Sequence, residues 1–179
     1  MAAKRSAVAA MLSAIMLPGL CNPASALTAP SVTRVEPSTS TVTFRAYAMG
    51  IVPLDGAFQR FHGSVAITAA APLACDIDVQ VEVASLAMED AGRTPDVLSA
   101  DLLDAAHYPL LAYRGQCVGN KVVGTLTMHG QTHPLTLRVE HDRDVYTASA
   151  PVRRADWGVV GRPMTAGATV RIRFSTRLP

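Results

Sequence analysis

The sequence predicts an all-β domain of eight antiparallel strands, interrupted by one short helical segment between strands three and four. Three observations predict it. Apolar and polar residues alternate with period two along most of the chain, as they do on half-buried strands. The breaks between alternating runs are short turns, and short turns join antiparallel neighbours. Only one stretch carries apolar residues at helical spacing. Eight such strands either stack as a sandwich or close as a barrel, and closure leaves no exposed edge.

The strands run in order. Val42, Phe44, Ala46 and Ala48 alternate with Thr41, Thr43, Arg45 and Tyr47 in the first, residues 40–49. The second, 56–69, contains Val65 and Ile67 and follows a break at Pro53-Leu54-Asp55-Gly56. Phe58 and Phe61, three apart, break its alternation. They mark a bulge or bend, or else a ring turned toward a ligand. After Ala71-Pro72, residues 74–85 set Ile77, Val79, Val81 and Val83 against Asp76, Asp78, Gln80 and Glu82. In TPDVLSADLLDAAH, residues 94–107, Pro95 stands near a start and Val97, Leu98, Leu102 and Leu103 are apolar. That pattern gives one or two helical turns. Strands over 110–117, 121–128, 132–141, 145–154 and 168–176 complete the set, with turns at Gly119-Asn120, His129-Gly130-Gln131 and Asp142–Asp144.

The N-terminus reads as a secretory signal, residues 1–26, leaving a single domain over 27–179. Lys4 and Arg5 precede an apolar run from Ala7 to Leu20 that ends in Ala24-Ser25-Ala26, the small-x-small pattern a signal peptidase accepts. The run is too short to span a bilayer comfortably. Removing it takes two of the chain's 16 basic residues and none of its 14 acidic ones, so the remainder is neutral. A neutral domain offers no basic footprint for nucleic acid. Of three cysteines, Cys75 and Cys117 remain. In an oxidising compartment an even count suggests a disulfide, with two buried free thiols as the alternative. If Ser85 pairs with His107, the same register sets Cys75 opposite Cys117. A bridge closing a loop of that length contributes roughly 3–4 kcal/mol.

Several motifs recur together. Ser40-Thr41-Val42-Thr43-Phe44 opens the first strand. LDGAFQRFHGSVAI places Gly56, Phe58, Phe61, Gly63, Val65 and Ile67 in step. Leu98, Leu103, Asp104, Tyr108 and Pro109 follow. GTLTMHGQTHPLTL spans 124–137, and RADWGVV starts at Arg154. In order and spacing these resemble the YceI-like family of exported lipid-binding proteins, over nearly all of the domain. The resemblance implies a lipocalin-like antiparallel barrel, a periplasmic location, no enzymatic reaction and no cofactor beyond a bound isoprenoid or quinone-like lipid. On the same resemblance a cavity is lined by Val42, Phe44, Ala46, Phe58, Phe61, Val65, Ile67, Val79, Val81, Leu98, Leu102, Leu103, Leu126, Leu137, Trp157 and Phe174. Its partners are an apolar lipid ligand and, transiently, a membrane or membrane protein; a homodimer is compatible with it. The chain departs from the family at Ala48, where a His is common, and at Thr94-Pro95-Asp96-Val97-Leu98, where Arg-Asp-x-His-Leu is common. Both changes make the expected mouth more apolar and point to a different amphiphile.

The alternative is a non-enzymatic interaction or stress protein whose barrel is filled by its own side chains and acts through its surface on a membrane partner. Catalysis has little to build on: the chain holds no HExxH, nucleophile elbow, phosphate loop or CxxC. His129 and His133 flank a turn instead of sharing a helix face, so they do not form a metal pair. Asp156 is expected to cap a turn or pair with Arg154, and Trp157 to close a barrel end.

Overall fold

A computed structural model describes residues 31–68 and 74–178. The expected signal peptide and the Ala71-Pro72 turn lie outside them. Eleven β-segments form: β1 (Ser31–Val35), β2 (Ser40–Ala48), β3 (Val52–Phe58), β4 (Phe61–Thr68), β5 (Ala74–Glu82), β6 (Leu86–Met88), β7 (Leu110–Val118), β8 (Lys121–Met128), β9 (Gln131–Asp142), β10 (Val145–Arg153) and β11 (Thr169–Arg177). They make one sheet in the order β1-β4-β5-β7-β8-β9-β10-β11-β2-β3-β6.

Eleven segments stand against eight expected strands because two of those strands are broken and because β1 precedes the first of them. Only Gln59 and Arg60 separate β3 from β4, and one 3-10 turn, Val83–Ser85, separates β5 from β6. The ladder continues across both breaks: Gln59 N–H donates to Ser85 O (3.1 Å) and Glu82 N–H to Arg60 O (3.0 Å). β1 lies along β4 as β2 lies along β3. The series from β4 round to β3 therefore returns to the strand it began on. The sheet curls into a barrel, leaving short edges at β1, β6 and the start of β3.

The bend at Gln59–Arg60 explains the two phenylalanines. It removes two residues from the alternation, so Phe58 and Phe61 both turn inward, 8% and 6% exposed. One boundary differs from expectation. Pro53–Gly56 is not a break: β3 begins at Val52 and Pro53 pairs with Tyr47. Proline is tolerated there because β6 reaches only Gly56–Phe58, leaving Pro53 on an edge where no N–H is needed. β1 was not anticipated, because its one deeply buried residue, Val35, gives no alternating signal.

The β5–β7 pairing runs from Asp76 opposite Gln116 to Glu82 opposite Leu110. That is the register assumed from the sequence, and Cys75 and Cys117 are bonded with Cα atoms 5.0 Å apart. Between β6 and β7 lies a 3-10 turn, Ala91–Arg93, followed by α1 (Thr94–Leu98). Asp90 caps the turn through Gly92 N–H, and Pro95 sits in the first turn of α1. The rest of the segment to Tyr108 is tight turns.

Candidate functional site

The barrel interior holds two apolar clusters. One gathers Val35, Phe58, Phe61, Val65, Val79, Val81, Leu86, Met88 and Leu178. The other gathers Tyr113, Val122, Leu126, Leu137, Ala148, Ala150, Val152 and Trp157. Between them runs a cavity of about 210 Å³. The period-two alternation supplies its wall from β2, β5, β7, β8, β9, β10 and β11. Val97, Leu102 and Leu103 of the helical segment lie over one end. Among the described residues the lining carries no carboxylate, histidine, serine or cysteine. Tyr113 adds a hydroxyl, which is near both Val122 O (3.1 Å) and Leu135 O (3.0 Å). Burial pushes its pKa up to about 12, so it remains neutral.

Eleven of the sixteen expected positions face this space: Val42, Phe44, Ala46, Phe58, Val79, Val81, Leu102, Leu103, Leu126, Leu137 and Phe174. Five do not. Phe61, Val65, Ile67 and Leu98 pack into the first cluster, with Val35 and Leu178. Inward direction is fixed by alternation, but depth along the barrel is not, and the bend sends Phe61 to the sealed side. Trp157 is 3% exposed and belongs to the second cluster. Its indole N–H donates to Leu126 O (2.9 Å), and His133 stands edge-on at 5.4 Å. A buried indole needs that acceptor, so the ring plugs the wall instead of lining the void.

Residues beyond the expected sixteen also line the cavity. Ile77, Tyr113, Val170 and Ile172 carry the same alternation and were legible from it. Leu54 was lost to the supposed break at Pro53. Arg154, Val159 and Ala166 come from the connection between β10 and β11, which has no period to read.

Arg154 is the unexpected member. It is 8% exposed and does not pair with Asp156, which is exposed and has no side-chain hydrogen bond among the described residues. Its guanidinium donates to four carbonyls of one loop: Nε to Gly167 (2.9 Å), Nη1 to Val159 and Gly161 (both 2.7 Å), and Nη2 to Ala166 (3.0 Å). This fork holds the loop 159–167 against the barrel mouth.

The same loop is tied to the helical segment across that mouth. Arg162 lies 3.2 Å from Asp96 and 3.6 Å from Asp101. The hydrogen bond from Arg162, and then its charge, hold the Asp96 carboxyl below its ordinary 3.8. A lowered pKa means the contact is whole above the ordinary value and is lost as pH falls through the lowered one. Amide exchange across residues 94–103, relative to the intrinsic rate at each pH, is therefore expected to quicken on acidification below 3.8. In Arg162→Ala it should be fast already at neutral pH. Equal protection in the two proteins at neutral pH would show that the pair does not hold the segment.

The YceI-like domain family matches residues 34–178. Among curated relatives, a UPF0312 protein of Pseudomonas savastanoi pv. phaseolicola is 34% identical over 103 residues, 54% of each chain. A UPF0312 protein of Pseudomonas putida is 31% identical over 134 residues, 66% of this chain and 70% of that one. The chain thus spans about half the length of the first of these relatives. Among solved structures, Burkholderia cenocepacia BcnA aligns with a TM-score of 0.68 at 24% identity, over 81% of this chain and 99% of that one. A polyisoprenoid binding domain from Saccharophagus degradans aligns at 0.58 and 15% identity, over 84% and 99%. At such identities the structural likeness speaks to the fold. The family match, together with the motifs on β2, β4, the β8–β9 hairpin and the Arg154 loop, shows that the chain belongs to the YceI-like domain family.

Proposed function

We propose that the protein is an exported, periplasmic binding protein that holds an isoprenoid or another single-chain, lipid-like amphiphile inside the barrel and performs no catalysis. The observation that carries this is the cavity: about 210 Å³ of continuous, almost wholly apolar space, where a side-chain-filled barrel would have none. Burial drives binding at about 25 cal/mol per Å² of apolar surface removed from water. The void is somewhat smaller than the roughly 300–1,000 Å³ of drug-sized sites. It suits one slim chain, and a longer lipid would have to displace Leu102 and Leu103. A lining free of carboxylate and histidine favours holding over turnover. The Cys75–Cys117 bond suits an oxidising compartment, and the fold shared with a polyisoprenoid binding domain agrees with the ligand class.

Native mass spectrometry of protein purified from the exported fraction, followed by solvent extraction, tests this. A stoichiometric added mass that enters the organic phase supports the reading and identifies the ligand. A bare polypeptide that also fails to take up an added long-chain prenol refutes it. Val81 is 6% exposed and faces the void. Val81→Trp should fill that space and lower prenol affinity about five- to 150-fold, one to three kilocalories being the usual cost of overpacking. Unfolding curves recorded alongside separate occlusion from misfolding.

A further inference from the structure

Two loops at the cavity mouth carry apolar side chains that are largely exposed. Ile51 is 78% exposed, Met49 65%, Val160 64% and Met164 90%. They come from the β2–β3 turn and from the β10–β11 loop, which touch: Met49 N–H donates to Thr165 O (3.0 Å), and Ala48 bridges Ala166. Folding does not demand these residues. Met49 and Gly50 occupy the two central positions of a turn closed by Ile51 N–H to Ala48 O, both with positive φ (50° and 74°). Asn is the inexpensive residue at the first of these positions. The chain instead places a methionine there and leaves it in water. Next to these tips, Ala46, Val159 and Ala166 line the cavity.

A basic band lies one or two residue pairs below the rim. Arg153 pairs with Thr169 at the base of the loop, and Arg171 sits directly opposite Arg45. Arg45 is matched by Asp55. Arg153, Arg171 and Arg173 are exposed and form no ion pair among the described residues. Of the acidic residues near the mouth, Asp90 and Asp96 are engaged by Arg93 and Arg162, while Glu89 and Asp156 are exposed and form no ion pair among the described residues.

We infer that this rim docks on an anionic lipid bilayer, with Met49, Ile51 and Met164 entering the headgroup boundary and Arg153 and Arg171 meeting lipid phosphates. This rests on the reading of the interior as a lipid site and adds how cargo reaches it. Apolar tips beside a basic band are the combination that holds a protein on such a surface. A mouth seated there lets a lipid chain pass into the barrel without crossing water.

The test is flotation with vesicles of phosphatidylethanolamine and phosphatidylglycerol in equal parts, compared with phosphatidylcholine vesicles. The wild-type protein should float with the anionic vesicles, and less so as salt is raised. The triple variant Met49→Asn/Ile51→Ser/Met164→Ser should lose about tenfold or more in partition, and Arg153→Gln/Arg171→Gln should lose the preference for anionic lipid. Both should retain prenol occupancy in native mass spectra when loaded from detergent. Wild-type protein that carries prenol but stays with the soluble fraction overturns docking and leaves the lipid site standing. Equal flotation of the triple variant also overturns it. So does a concentration-dependent dimer abolished by the triple variant, since the rim would then be a contact between copies. Flotation that depends on the rim in a protein that takes up no prenol refutes the lipid site and with it the delivery role.

Discussion

Arg154→Met should destabilise the protein by about 3 kcal/mol, the largest effect of any single side chain outside the apolar core. Each bond from a charged donor is worth roughly 1.5–3 kcal/mol, and a buried acceptor left without a donor costs about 1–3. Four carbonyls lose their donor together. Those of Gly161, Ala166 and Gly167 are in half-buried residues that water can reach, which keeps the loss below a simple total. Methionine retains the stem that lines the cavity, so the change isolates the fork. Lysine should not rescue, because one ammonium cannot reproduce a planar fork reaching four acceptors. Denaturant unfolding gives the stability, and exchange at the amides of 159–167 gives the locality. A loss below about 1 kcal/mol would mean that the loop is held by its backbone contacts instead.

The second large effect belongs to the disulfide. Cys75→Ala/Cys117→Ala should cost about 3–4 kcal/mol, chiefly by freeing the unfolded chain from a closed loop whose ends are 42 residues apart. For a protein of this size that is a fall in Tm of about 10 °C. The native barrel should persist, because the β5–β7 ladder aligns seven residue pairs without the bond. Calorimetry with and without reductant checks it: reductant should lower the wild-type Tm toward that of the variant and leave the variant unmoved. An unchanged Tm in the double variant would show that the unfolded chain is already compact around this pair.

Much of the fold was legible because strand identity is a local property. The alternation of Ile77, Val79 and Val81 with acidic neighbours identifies both a strand and its inward face, whatever surrounds it. Turn chemistry at Gly119-Asn120 and His129-Gly130 fixes hairpin neighbours, and one assumed pairing then carried the register as far as the cysteines. The broken strands were less legible. β1 shows a single well-buried residue, and the proline in β3 reads as a breaker until its edge position is known.

What the sequence by itself determined is therefore the all-β antiparallel class and the inward face of most strands, and it suggested the Cys75–Cys117 pairing. All of these follow from side-chain period and turn type, which act over a few residues. Only the tertiary structure decided which inward residues border empty space. Phe58 and Phe61 carry the same chemistry, yet a two-residue bend puts one on the cavity and the other in packed core. The structure alone also showed Arg154 gripping the loop and four apolar side chains brought to one rim. Depth along a barrel axis and the meeting of loops far apart in sequence depend on how the whole sheet closes, and no local pattern encodes that closure.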